Sequence, residues 1–156
     1  MALPKAKTKN AFSCALRLLS YRNRSSAELL EKLGLKGFTG EQVDEALQKL
    51  DRLGYINDSA LAEALSRQAR ENRGLGRRGA FGYLLKRGIS AGLAEEALGG
   101  YDEFDGAMRT ARKKLRTLEK AGPEVRKRRL YGALARRGFS SQTIKKIFLK
   151  LEEEGK

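Results

Sequence analysis

Arg126, Arg129 and Arg136 recur at spacings that place all three on one stripe of a helix turning by about 100° per residue. Guanidinium groups in a row suit one kind of chemistry, forked charge-assisted hydrogen bonding to phosphate or carboxylate oxygens. Ala133 lies within the stripe and its small side chain permits close approach, while Arg137 lies at the border of the apolar face and Arg128 on the far side. Upstream, Arg112, Lys113 and Arg116, accompanied by Arg109, Lys114 and Lys120, load the preceding helix with positive charge. In the middle of the chain Arg77, Arg78, Lys86 and Arg87, with Arg73, sit at a turn and at a glycine-terminated helix end. The candidate contacts to an anionic partner are Arg126, Arg129, Arg136, Arg137, Arg112, Lys113, Arg116, Arg77, Arg78, Lys86 and Arg87.

Other chemistries lack material. The chain has no histidine, which removes the commonest general base and metal ligand. It has one cysteine, Cys14, which excludes an internal disulfide; set among apolar residues, it reads as a buried, inert thiol. No Ser–His or Cys–His pair, phosphate-cradling glycine loop or metal-spaced cluster occurs, so no catalytic, cofactor-binding or metal-ligating residue is expected, and the protein does not read as an enzyme. Glu152, Glu153 and Glu154 read as a solvated tail.

The charge is large and uneven. Of 156 residues, 33 are Lys or Arg and 19 are Asp or Glu, for a net charge of +14. Residues 104–156 alone hold 16 basic and 6 acidic side chains. Such an excess points to a polyanion. Most aromatic residues fall on apolar stripes, so sequence-nonspecific contact with a phosphate backbone is expected rather than base readout. Residues 1–10 are basic without an apolar core, and no run approaches membrane-spanning length; a cytoplasmic protein without membrane contact is expected.

The elements that must position these groups repeat. Leu33-Gly34-Leu35-Lys36-Gly37-Phe38-Thr39, Leu84-Leu85-Lys86-Arg87-Gly88-Ile89-Ser90 and Leu134-Ala135-Arg136-Arg137-Gly138-Phe139-Ser140 echo one another, their glycines 51 and 50 residues apart. A period of that length signals one helical unit copied along the chain. Each copy reads as three helices. Ser25 with Glu28, and Thr39 with Gln42, read as capping boxes, and Asp58 as a cap of the next helix. Leu29, Leu30 and Leu33 form an inward stripe, matched by Phe81 and Leu84 and by Leu130, Tyr131 and Leu134. Gly37, Gly88 and Gly138 end the middle helices, and Pro123 opens one. The sum is an all-α, elongated tandem array of three three-helix repeats, about nine helices. It divides into a basic N-terminal tail over residues 1–10 and repeats over 11–57, 58–103 and 104–156.

These residues carry a family resemblance. The segment with Ala15, Leu16, Leu19, Arg22, Arg24-Ser25, Glu28-Leu29 and Lys32-Leu33 resembles the opening repeat of the RecX family. Leu50 and Gly54-Tyr55-Ile56-Asn57-Asp58 resemble its junction into the second repeat, although Leu61 stands where many members carry an aromatic residue. Gly74, Leu84 and Lys86-Arg87-Gly88-Ile89 resemble its central element, and Leu134 with Arg136-Arg137-Gly138-Phe139-Ser140 its C-terminal one. The resemblance implies a non-enzymatic negative modulator of the RecA recombinase, lying in the groove of the RecA–DNA filament and inhibiting ATPase and strand exchange. It implies RecA and single- or double-stranded DNA as partners; the chain is expected to be a monomer without cofactor. The competing reading is an independent, sequence-nonspecific DNA-binding protein built from helix-turn-helix-like units, with residues 39–53 and 140–151 as recognition helices.

Overall fold

The computed structural model describes residues 10–156, so all but the last residue of the expected N-terminal tail lies outside the described residues. The described residues form α1 (Ala11–Tyr21), α2 (Ser26–Leu35), α3 (Gly40–Arg52), α4 (Asp58–Glu71), α5 (Arg77–Lys86), α6 (Ala91–Ala97), α7 (Phe104–Arg116), α8 (Pro123–Arg136) and α9 (Ser141–Glu154). No strand occurs among them, and the fold is all-α, made of tandem three-helix repeats. No helix among the described residues is long and apolar enough to cross a membrane.

Local chemistry sets the helix boundaries. The Asn10, Ser25, Ser90 and Ser140 side chains accept the third backbone N–H of α1, α2, α6 and α9. Thr39 and Gln42 form the reciprocal capping box of α3. Pro123 occupies the first turn of α8, where its missing N–H costs nothing. Gly37, Gly88 and Gly138 turn the chain at φ of 90°, 80° and 80°, as their positions demand.

The chain forms two compact units, the first reaching Leu61 and including Arg87–Ile89, the second comprising Ala62–Lys86 and Ser90–Lys156. In the first, α1, α2 and α3 enclose Ala11, Ala15, Leu29, Leu33, Val43, Ala46, Leu50 and Ile56. In the second, α7, α8 and α9 enclose Ala107, Met108, Ala111, Leu130, Leu134, Phe139, Ile144 and Ile147.

Four expectations are corrected. The inward line of the middle helices runs through Leu29 and Leu33, Ala80 and Leu84, and Leu130 and Leu134, each pair four residues apart. The residue after each line's start turns away from it: Leu30 is 52% and Tyr131 50% exposed, and Phe81 is half-buried. Glu28 does not complete a capping box; Ser25 accepts the Glu28 N–H, but the Glu28 carboxylate turns to Arg22 and Arg24, because two cations outbid a neutral N–H. Asp58 does not cap α4. Asn57 accepts the Ala60 N–H at 3.0 Å, leaving Asp58 free to accept the Ser26 N–H at 2.9 Å in the first turn of α2. Cys14 is half-buried rather than buried.

The glycine echo has a packing meaning beyond helix termination. A Cβ on Gly138 would strike the backbone of Gly79, and one on Gly79 the Arg137 carbonyl. The α8–α9 turn and the first turn of α5 therefore meet backbone to backbone, with Gly76 N–H donating to the Arg137 carbonyl at 2.9 Å and Arg78 N–H to that of Gly138 at 3.2 Å. In the first unit a Cβ on Gly88 would strike the buried Ser25 hydroxyl at the start of α2. The same device thus occurs twice: a glycine turn seated on the N-terminus of a middle helix one repeat earlier. Gly37 has no earlier repeat to meet, and a Cβ there would touch nothing within 4 Å.

Candidate functional site

Within the second unit the C-terminal end of α4, the exposed side of α7 and the stripe of α8 border an open groove of about 640 Å³. Seven of its lining residues are cations: Arg70, Arg73, Arg109, Lys113, Lys114, Arg136 and Arg137. Helical spacing assembles them. Arg109 and Lys113 lie one turn apart on α7, and Ala133 and Arg136 one turn apart on α8, with Ala133 keeping the floor shallow. Gly106, buried in α7, and Gly74, at φ 58°, also line the groove and add no side chain to it.

Aromatic groups and carbonyls hold three of the cations. The Arg73 guanidinium lies 4.4 Å from the Tyr83 ring centroid, and Tyr83 donates its hydroxyl to Gln68 at 2.9 Å. Arg70 lies 6.0 Å from the Tyr101 ring, and Tyr101 donates to the Leu75 carbonyl at 2.8 Å. Burial pushes the Tyr101 phenol up, Arg70 opposes it and Glu103 adds to it, with a result of about 12, so the phenol stays a donor at neutral pH. Arg137 donates to the Arg73 carbonyl at 2.8 Å. The groove includes one carboxylate, Glu71, 3.6 Å from Arg70; among the described residues no other lining cation has a carboxylate within 4.0 Å. Like charges this close, left unneutralised, draw an anion and exclude a cation.

The sequence-derived candidates divide. Lys113, Arg136 and Arg137 line the groove, and Arg129, exposed one turn before Ala133, extends its α8 side. Arg126 is half-buried and donates to the Glu119 and Ala121 carbonyls at 3.0 and 3.3 Å, tying the α7–α8 connection together. Arg112 pairs with Glu154 at 3.0 Å, and Arg116 is exposed outside the groove. Arg77 pairs with Glu95 at 2.6 Å, Arg78 lines a separate depression with it, and Lys86 is exposed at the end of α5. Arg87 belongs to the first unit, where it donates to the Asn23 carbonyl at 3.3 Å and helps lower the Glu28 carboxyl.

Sequence reasoning passed over Arg70 altogether and left Arg73, Arg109 and Lys114 outside the candidate contacts. Their spacing was visible: Arg70 lies in the last turn of α4 and Arg73 two residues past its end, and Arg109 and Lys113 share a face. What no pattern within one helix could supply is that the α4 end meets α7.

Comparison with known proteins covers the chain nearly end to end. A family model of the first three-helix domain of RecX matches residues 11–50, and one of its third three-helix domain matches residues 101–148. Regulatory protein RecX of Chlorobaculum tepidum is 36% identical over 153 residues, 97% of this chain and 95% of that protein. The protein of the same name from Streptomyces coelicolor is 33% identical over 156 residues, 97% of this chain and 83% of that one. The crystal structure of RecX from Lactobacillus salivarius superposes with a TM-score of 0.82 at 26% identity, covering 91% of this chain and 94% of that one.

Proposed function

The chain belongs to the RecX family of regulatory proteins, and from that premise we propose that it is a negative modulator of the RecA recombinase. It binds in the groove of the RecA–DNA filament and inhibits ATP hydrolysis and strand exchange by occupying surface, without chemistry of its own. The observation that carries this reading is the convergence of seven cations from three helices on one groove, nearly free of internal carboxylates. A nucleoprotein filament offers such a groove phosphates and acidic side chains together. Forked guanidinium contacts then give affinity without sequence preference. The protein acts beside RecA in the cytoplasm, as a monomer, and the units of binding are the repeats over residues 11–57, 58–103 and 104–156.

The test is single-strand-dependent ATP hydrolysis by RecA with this protein titrated in, compared with the variant Arg109→Ala/Lys113→Ala/Arg136→Ala, whose three positions are exposed. The unmodified protein is expected to inhibit and the variant to inhibit weakly while melting at the same temperature. Equal inhibition by both removes the groove from the site. Inhibition only at concentrations that coat the DNA favours the independent DNA-binding reading.

A further inference from the structure

We propose that a second groove, between α8 and α9, is a protein-docking surface, and that its occupant is an acidic segment of a filament protomer anchored by an apolar side chain. The identity of the partner rests on the function proposed above. This groove has a volume of about 560 Å³. Its floor is apolar, made by buried Ile144 and half-buried Phe148, and Tyr131, half-exposed, forms one wall. Its rim is cationic on balance: Lys127 and Arg128 from α8 and Lys145 from α9 outnumber one carboxylate, Glu124, at the start of α8. None of these three has a carboxylate within 4.0 Å among the described residues.

The pattern differs from that of the basic groove. There the cations are continuous; here they flank a floor of Ile144 and Phe148, two side chains that offer a phosphodiester no donor and would strip its water, with the hydroxyls of Tyr131 and Ser141 at the sides. Carboxylates on either side of one aliphatic or aromatic side chain match the arrangement, since charge pairs form at the rim while the anchor fills the floor. The α8 residues that line the groove, Glu124 to Tyr131, span about 10 Å at about 1.5 Å per residue, room for about two helical turns of an occupant. Past Tyr131 lies a neighbouring depression of about 590 Å³ and mixed character, in which Phe81, Ala135 and Phe139 stand beside Arg77, Arg78, Glu95 and Glu103, so the tyrosine stands where two hollows join. A single exposed tyrosine needs no explanation. One that walls two hollows beside three unneutralised cations is placed as an interface anchor.

The experiment uses the full chain and charge-neutral variants, Tyr131→Ala and Tyr131→Phe. Inhibition of RecA ATP hydrolysis is measured alongside affinity for a fluorescent thirty-nucleotide oligothymidylate without RecA. Tyr131→Ala is expected to raise the half-inhibitory concentration by about tenfold or more, with oligonucleotide affinity within about twofold of the parent and Tyr131→Phe near parental in both. Parental inhibition by Tyr131→Ala, with the fold confirmed by circular dichroism, overturns the proposal. So does a matching loss of oligonucleotide affinity, which makes nucleic acid the occupant. If the unmodified protein fails to inhibit RecA at all, the parent reading falls and this assignment of the occupant falls with it.

Discussion

Single carboxylates organise the turns on which this protein's cations are mounted. Glu103 accepts the Arg77 N–H at 2.7 Å, the Ser140 N–H at 3.0 Å and the Ser140 hydroxyl at 2.6 Å, joining the first turns of α5, α7 and α9. Burial pushes its carboxyl up, but hydrogen bonds from Ser140, Thr143 and the Arg77 and Ser140 backbones outweigh it and hold the group below the ordinary glutamate range. Glu28 behaves alike: burial raises it, Arg22, Arg24 and Arg87 lower it, and the net direction is down. A carboxyl lowered in the folded state binds fewer protons there than in the unfolded chain. Its stabilisation is full above the unfolded value, about 4.3, and is lost as pH falls through the folded one. Stability is therefore expected to be flat near neutrality and to decline below about pH 5, in urea titrations at stepped pH. Glu103→Ala is expected to cost about 1–3 kcal/mol at pH 7, read by the same titration, and to flatten the acid decline. An unchanged midpoint means that the three bonds are made in water as readily as in the fold.

At the scale of elements, the glycine turns should not be equivalent. Gly138→Ala imposes a left-handed backbone on alanine and drives a Cβ into Gly79, whereas Gly37→Ala imposes the backbone alone. The expected losses are about 1 kcal/mol at Gly37 and about 2–4 kcal/mol at Gly138 in urea unfolding. Equal losses at the two sites contradict the backbone-to-backbone seat. The repeat of three glycine turns, the Ser25 and Thr39 caps and the all-α class were legible in the sequence because each is a local signal. The inward leucines of the middle helices were legible too, but one position in each helix was not. Leu30, Phe81 and Tyr131 are apolar and lie beside the true inward residues Leu29, Ala80 and Leu130, and a small residue such as Ala80 marks burial less loudly than a phenylalanine. The basic groove was legible only in part, since the α8 stripe follows from spacing but its meeting with α4 and α7 follows from packing. Arg126 shows the opposite error: it has the right spacing, yet its guanidinium is engaged with the Glu119 and Ala121 carbonyls.

At the scale of the whole molecule, a net charge of +14 gathers into a usable field chiefly in the second unit. With Arg137 held on the Arg73 carbonyl and Arg70 paired with Glu71, five of the seven groove cations remain to meet phosphates. Five contacts to a single strand correspond to a log–log salt slope of about −3.5 for oligothymidylate affinity. Removing Arg109, Lys113 and Arg136 together is expected to make that slope shallower by about 2 and to weaken binding alike for all base compositions, in fluorescence titrations at several salt concentrations. A slope unchanged by the triple variant places the phosphate contacts elsewhere.

The regulatory role meets its most direct test in stoichiometry. RecA is assembled on a long single strand with ATP, and hydrolysis is followed as this protein is added in steps far below one copy per RecA protomer. Hydrolysis is expected to fall by half while most protomers remain without a bound copy, since the proposed function has one copy in the filament groove stall several protomers. Undiminished hydrolysis at equimolar protein, or a fall only once the strand itself is covered, contradicts a modulator that works on the filament.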